Sequence, residues 1–287
     1  MTRSEVRQGY FFVAPAFILL LGVLGIPALT AVLQSFNVLW VRDAGFSLDA
    51  YRQLASDPAF ATALWNTVRY VTLVVSLHVV LGLAVALLLN LDIPAKWFFR
   101  VVAILPWTIP DVIGGIVWRF VFDTLTGMIN SVAIVIGLID QPVDWLGTPA
   151  LAFTAVVLAE VWRGYPFVML ILLAGLQAIP AHLYEAASMD GASRFQSFIH
   201  ITLPSLKGML MIAVVLDVIW ECRLFGLVYG MTGGGPSDAT QLISTMTYKQ
   251  YFEFFNTSYA AAMAVVLAVI MLVIAIPYLR ASMREKD

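Results

Sequence analysis

Residues 179–191 read Ile179-Pro180-Ala181-His182-Leu183-Tyr184-Glu185-Ala186-Ala187-Ser188-Met189-Asp190-Gly191, and the chain continues Ala192-Ser193-Arg194-Phe195-Gln196-Ser197-Phe198-Ile199-His200-Ile201-Thr202-Leu203-Pro204. Pro180 suits the first turn of a helix, where its missing N–H is not needed. Gly191 suits the position just past a helix end, where φ is often positive. Good helix formers lie between them. Ser193 can cap a second short helix that carries Phe195, Phe198, Ile199 and Leu203 on roughly one side, and Pro204 ends it. The stretch predicts two short helices set at an angle. Apolar runs flank it, about 151–176 before and about 208–229 after. A polar pair of helices between two such runs reads as a loop on a membrane face.

Working outward, the whole chain of 287 residues has the composition of a membrane protein. Apolar types make up 61% and charged types 12%, against roughly 45–50% and 25% in an average soluble domain. The mean hydropathy is +0.90. A soluble globular enzyme and a disordered chain are excluded. The net charge of −2 leaves no basic footprint for nucleic acid. A single cysteine, Cys222, excludes an intramolecular disulfide framework and a Cys-rich metal site.

A bilayer core takes about 20 apolar residues as helix. Six stretches meet that length: about 10–36, 68–89, 101–122, 151–176, 208–229 and 260–279. The expectation is an all-α, six-span protein forming one membrane domain over 1–287. The first run is too long for a signal-peptide h-region and is kept as a helix. Orientation follows from the Lys/Arg bias. With the N-terminus in the cytoplasm, Arg3, Arg7, Lys96, Arg100, Arg194, Lys207, Arg280, Arg284 and Lys286 face inward. Only Arg42, Arg52 and Lys249 face outward. Both termini and the loop at 177–207 are therefore expected inside. Trp40, Trp97, Trp107 and Trp145 near span ends read as interface anchors.

Small Ala186 and Ala187 beside Glu185 leave a surface that another protein can approach closely. The other reading is an amphipathic helix resting in the headgroups, which would want more Lys/Arg than Arg194 and Lys207 provide. Glu185-Ala186-Ala187, then Gly191, then Ile201 and Leu203-Pro204 at this spacing resembles the EAA loop of ABC importer permeases, and its fuller form is similar to that of the carbohydrate-uptake branch. Trp162, Pro166-Phe167 and the run Ala174 to Pro180 resemble the family's entry to that loop. Thr232-Gly233-Gly234-Gly235-Pro236 with Ala239-Thr240, and Tyr259-Ala260-Ala261-Ala262, extend the likeness. Two positions depart from it. Gly208 stands near a frequent proline, and Phe225-Gly226 stands where Phe-Asp is common, which removes a carboxylate.

The resemblance implies a permease subunit, not an enzyme, in the bacterial cytoplasmic (inner) membrane. It implies four partners besides lipid: a second related permease, a dimer of cytoplasmic ATPase subunits, an extracytoplasmic solute-binding protein and a sugar, di- or oligosaccharide. ATP and Mg would sit on the ATPase partners and no cofactor on this chain. The residues agree on one point. A P-loop needs GxxxxGK[ST], and the lysines here precede Trp97, Gly208, Gln250 and Asp287. By resemblance, Glu185, Ala186, Ala187, Asp190, Gly191, Ile201, Leu203 and Pro204 contact an ATPase. Gly233, Gly234, Gly235 and Pro236 form a rim that meets the receptor, or a tight turn.

Charges inside spans are costly, so each is expected to face protein or water. Glu160 and Arg163, three apart, share a face and can pair. Arg119 and Asp123, four apart, can do the same, and Asp217 and Glu221 share a face with Arg223 about 200° away. Local pairing, or contact with the partner permease, fits Glu160–Arg163 and Arg119–Asp123. A polar wall along a transient cavity fits Asp217, Trp220, Glu221, Arg223 and Phe225, because a sugar offers hydroxyls to acceptors and a face to aromatic rings. All eight named residues of spans three to five, Glu160, Arg163 and Arg119 among them, are candidate pathway residues. His78 reads as a packed residue, and His182 and His200 lack metal-ligand spacing.

Three rival readings remain. A secondary transporter would need an ion site beside broken helices, for which Pro106, Pro110 and Asp111 offer a weak version. An intramembrane enzyme would need a nucleophile–base pair, which no motif supplies. A polyol or glycerol phosphate would favour clustered cations, and the spans hold only scattered arginines.

Overall fold

Backbone polar groups in hydrocarbon must pair within their own segment, so an apolar chain of this kind spans as helix. The computed structural model describes residues 3–39 and 45–284, with side chains described for 10–39 and 45–276. Trp40, Arg42 and Lys286 lie outside the described residues, as do the side chains of Arg3, Arg7, Arg280 and Arg284. All regular structure in the described residues is helical. The α-helices are α1 (Arg3–Leu20), α2 (Ile26–Ser35), α3 (Asp49–Ser56), α4 (Pro58–Asn90), α5 (Lys96–Ile104), α6 (Asp111–Val121) and α7 (Met128–Val135). They continue with α8 (Pro149–Gln177), α9 (Ala181–Met189), α10 (Arg194–Ser197), α11 (Leu203–Cys222), α12 (Gly226–Met231), α13 (Ile243–Tyr248) and α14 (Thr257–Arg284). Five stretches are long and apolar enough to cross a membrane, and a sixth if one bent pair is counted as a span.

The bent pair corrects the expected third span. Residues 101–122 are not one helix. The chain passes from α5 through a 3-10 turn at Leu105–Thr108 into α6, with a bend of 96°. Pro106 and Pro110 are the cause. Proline removes a ladder donor and pushes the residue before it to extended backbone, and Ile109 is extended at ψ 126°.

The fifth span is corrected at both ends. Pro204 does not end a helix. It sits in the first turn of α11, and a π-helical turn at Phe198–Thr202 joins α10 to α11. Arg194–Cys222 is thus one 29-residue candidate span. At the other end α11 stops at Cys222, and α12 is a separate short helix. The second span begins at Pro58, ten residues before the expected start.

Two compact units make up the chain, one from residues 1–58 and 247–269 and the other from 59–246 and 270–287. In the first unit the side chains of α1 from Tyr10 onward and of the start of α2 are mostly exposed, with Phe11 and Phe12 about four-fifths exposed. Such a surface suits lipid. Polar contacts gather at the end of α2. Gln34 Nε2 donates to Thr257 Oγ1 (2.9 Å) and to Ser258 Oγ (3.2 Å), and the Ser35 and Tyr51 hydroxyls are bonded at 2.8 Å.

In the second unit α8 is central: 61% of its most apolar window is buried, against 33% for α4 and 17% for the Arg194–Cys222 span. Its buried residues meet Ala86 and Leu89 of α4, Ala103 of α5 and Leu206 and Ala213 of α11 in one apolar core. Helix α4 buries Ala63, Thr67, Tyr70, Val74, His78, Gly82 and Ala86, three or four apart, as a single stripe. Tyr70 and His78 therefore face inward. Helices α6 and α12 pack on glycine. A Cβ on Gly115 would lie 2.3 Å from the Leu227 carbonyl oxygen, and one on Gly230 would lie 2.7 Å from that of Val112. Small residues four apart, here Gly226 and Gly230, allow such approach in membranes.

Candidate functional site

The stripe on α4, one face of α8, one face of α11 and the first residue of α6 bring seven polar side chains together within the second unit. Arg163 is 3% exposed. Its Nε donates to Glu160 Oε2 at 2.9 Å, and a second guanidinium nitrogen reaches Glu160 Oε1. A third contact runs from Arg163 to Asp111 Oδ1, at 2.9 Å. The Arg163 fork is thus bidentate to one acid and bridges to another, the geometry that guanidinium suits best. Asp111 opens α6, where a carboxylate also meets the positive end of the helix dipole.

His78 sits beside this pair, fully buried. Its Nε2 lies 3.2 Å from the Glu160 carbonyl oxygen, which only accepts, so Nε2 carries the proton. Its Nδ1 lies 3.0 Å from Asp217 Oδ2. Tyr70 donates to Glu221 Oε2 at 3.2 Å. The fit is close. A Cβ on Gly164 would lie 2.3 Å from His78 Cε1, so only glycine at 164 leaves room for the ring. The ligand atoms of His78, Asp217 and Glu221 lie within 4.8 Å of one another. A cation there would displace the His78–Asp217 hydrogen bond.

Aromatic rings border the cluster. Trp107 and Phe167 stand 6.1 Å apart, Phe167 and Trp220 6.0 Å apart, and the Arg223 guanidinium lies 5.0 Å over the Trp220 ring. Phe225 stacks on Tyr229 at 4.9 Å. Chemically this wall offers carboxylate acceptors, a fixed guanidinium and flat apolar faces.

The structure joins Glu160 to Arg163 and puts Asp217 and Glu221 on one buried face. Arg223, just past the end of α11, is exposed. It does not join Arg119 to Asp123. Asp123 accepts from the Thr126 N–H (2.8 Å), the Thr126 hydroxyl (2.8 Å) and the Leu125 N–H (3.0 Å), and these bonds hold its carboxyl below the usual range. Arg119 is exposed and forms no ion pair among the described residues. Linear reading missed Tyr70, the pairing of Asp111 with Arg163, and the two partners of His78. The inward stripe of α4 was the available signal for Tyr70 and His78.

The loop at 179–204 is built as its caps dictate. Pro180 precedes α9, and Gly191 has φ +77°. The Ala192 N–H bonds the Ala187 carbonyl (2.9 Å) and the Gly191 N–H bonds that of Ser188 (3.1 Å), which is a Schellman ending. Ser193 and Gln196 form a reciprocal capping box at α10. The Tyr184 and Thr202 hydroxyls, 2.9 Å apart, tie α9 to the base of α11. Glu185, Ala186, Asp190, Gly191 and Pro204 are exposed, while Ala187, Ile201 and Leu203 are half-buried.

The glycine-rich turn is folded in on itself. Thr232 and Thr240 hydroxyls meet at 2.7 Å, and Asn66 of α4 donates to the Asp238 carbonyl at 2.8 Å. Gly234 is buried and Gly233, Gly235 and Pro236 are half-buried, so the exposed tip is Ser237–Asp238.

The family model described as binding-protein-dependent transport system inner membrane component matches residues 78–285. The trehalose/maltose transport system permease protein MalF of Thermococcus litoralis is 36% identical over 99% of this chain and 96% of its own. The sulfoquinovosyl glycerol transport system permease protein SmoG of Agrobacterium fabrum is 34% identical over 96% and 89%. Among solved structures, a bacterial ABC transporter involved in import of the acidic polysaccharide alginate covers 99% of both chains at 22% identity, with a TM-score of 0.80. The chain belongs to the binding-protein-dependent transport system inner membrane components, the permease subunits of ABC transporters.

Proposed function

We propose that this permease forms half of the path by which an ATP-driven importer carries a neutral di- or oligosaccharide across the cytoplasmic membrane. The observation that carries the reading is the 36% identity, along 99% of the chain, to a permease named for trehalose and maltose. The site chemistry supports a neutral cargo. Asp111, Glu160, Asp217 and Glu221 outnumber Arg163 and His78, and the Arg163 fork is already occupied by Glu160 and Asp111. A sulfonate, uronate or phosphate would meet an acid-rich cluster whose buried guanidinium is already taken. Asp217 and Glu221, buried here against His78 and Tyr70, become acceptors for sugar hydroxyls when the path opens, and the Trp107–Phe167–Trp220 rings offer faces to stack on, with Arg223 and Phe225 beside them.

The chain is a transport subunit and not an enzyme. Energy comes from a dimer of ATPase subunits that hold ATP and Mg. Both termini and the 177–207 loop lie in the cytoplasm. Helix α9, with Glu185, Ala186, Ala187, Asp190 and Gly191, seats in an ATPase cleft. Ile201, Leu203 and Pro204 pass its movement to α11, of which they are the base. A second related permease completes the path. A solute-binding protein docks outside, at the rim that includes the turn from Gly233 to Pro236. Residues 1–287 act as one transmembrane domain in this assembly.

Reconstitution with the two ATPases, the second permease and the receptor tests the reading. Trehalose or maltose should enter proteoliposomes when ATP is supplied, and should still enter with the proton gradient collapsed. Uptake that follows the proton gradient without ATP would overturn it in favour of a secondary transporter. Uptake of glycerol phosphate but of neither sugar would overturn the substrate class.

A further inference from the structure

The first unit holds a cavity of about 380 Å³ that none of the candidate pathway residues lines. It lies where the end of α2, the start of α3 and the start of α14 meet. In a chain that is 61% apolar, nine of the eleven residues lining it carry a hydroxyl, amide or carboxylate, and none carries a positive charge. We propose that this cavity is a second saccharide-binding site, selective for neutral sugars, at the extracytoplasmic ends of the first and last helices.

Its size falls within the roughly 300–1,000 Å³ of small-molecule sites. Its polar groups fall into two sets. One set is fixed. Gln34, only 5% exposed, donates from behind to Thr257 and Ser258, and Ser258 donates onward to Asn37 Oδ1 at 3.2 Å. The other set is free. The side-chain amides of Gln53 and Asn256 have no partner among the described residues, and both line the cavity. An amide supplies one acceptor and two donors, which suits adjacent sugar hydroxyls. Asp49 adds one carboxylate, which Ser47 and then Arg52 hold below the usual range, so it is an acceptor at neutral pH.

Phe255 supplies the flat apolar face. It adopts φ +56°, a conformation uncommon for any residue but glycine, and its side chain is 78% exposed. An aromatic held open in that way beside unpaired amides is the combination that saccharide stacking uses. The absence of cations from the lining argues against phosphate or sulfonate ligands.

This proposal rests on the reading of the chain as a sugar permease, and the experiment separates the two. The complete transporter in nanodiscs, without receptor, is equilibrated with radiolabelled trehalose and with maltose, and bound sugar is counted. Gln53→Ala combined with Asn256→Ala should lower retention at least tenfold, whereas Trp220→Ala, in the second unit, should leave this component in place. Neither of the two amides bonds to another of the described residues, so their removal should spare folding, which unchanged thermal unfolding of the complex would verify. No retained sugar in the unaltered complex, or retention unmoved by the double variant, overturns the site. So does a double variant that weakens receptor docking alone, since the cavity then seats a receptor segment. ATP-driven sugar uptake by the same complex is measured in parallel. Uptake without retention removes only the second site. A complex that takes up no sugar removes the functional reading itself.

Discussion

Gly164 governs the buried cluster although it contributes no polar atom. Any Cβ there meets the His78 ring at about bond-clash distance. Gly164→Ala should destabilise the protein by about 1–3 kcal/mol, the usual cost of overpacking, read as a lowered unfolding temperature in detergent. Adding His78→Ala should restore part of the loss, because residues in contact couple non-additively. Full additivity would show that the two do not touch. Arg163 should be more severe. Its removal leaves Glu160 buried and Asp111 half-buried without their cation, a change worth about 3–5 kcal/mol where a buried pair is broken. Arg163→Ala should therefore lower the yield of folded protein, and Arg163→Lys should recover it only in part, since an ammonium cannot hold one acid bidentately while bridging to another. At this scale the sequence is half legible. Three-residue spacing announces Glu160–Arg163, because one helix carries both. His78 and Asp217 are 139 positions apart. Periodicity gives the inward face of each helix but not which inward faces meet.

Helix ends were easier to read than helix continuity. Pro180, Gly191 and Ser193 act by local chemistry, and each sits within a residue of its expected role. Pro204 misled, because the π turn before it places the ring in a first turn, where the missing N–H is harmless. Pro106 and Pro110 break their segment because two breaks fall within one turn and a half of each other. The short α12 was lost inside the apolar run 208–229, since hydropathy does not register a helix break at Arg223–Phe225. The capped loop gives the prediction that belongs to this scale. Gly191 needs φ near +77°, which proline's ring forbids. Gly191→Pro should unmake the Schellman ending and reorient α9 relative to α10 while leaving the flanking spans unchanged. Membrane insertion should be normal, and ATP-dependent uptake should fall at least tenfold. Gly191→Ala, which keeps the N–H but strains φ, should fall between. Normal uptake in the proline variant would mean that the α9 ending transmits nothing.

For the molecule as a whole, membrane class and a count of five or six spans follow from hydropathy because one property, transfer from water to hydrocarbon, dominates this chain. Its sidedness rests on a weaker force. Lys and Arg outside the spans number nine on one side and three on the other in the expected topology, and that bias alone predicts a cytoplasmic α9. The chain is well suited to a direct test, since its one cysteine, Cys222, is only 6% exposed and gives little background to a bulky thiol reagent. Ser188, on α9, and Ser237, at the tip of the glycine-rich turn, are both exposed. Ser188→Cys should react with a membrane-impermeant maleimide in inside-out vesicles that lack the ATPase and stay unreacted in right-side-out ones. Ser237→Cys should do the reverse. If the two exchanged behaviour, the nucleotide-driven subunit would have nothing to grip on its own side of the bilayer, and the receptor would face the end of the protein that carries most of its positive charge.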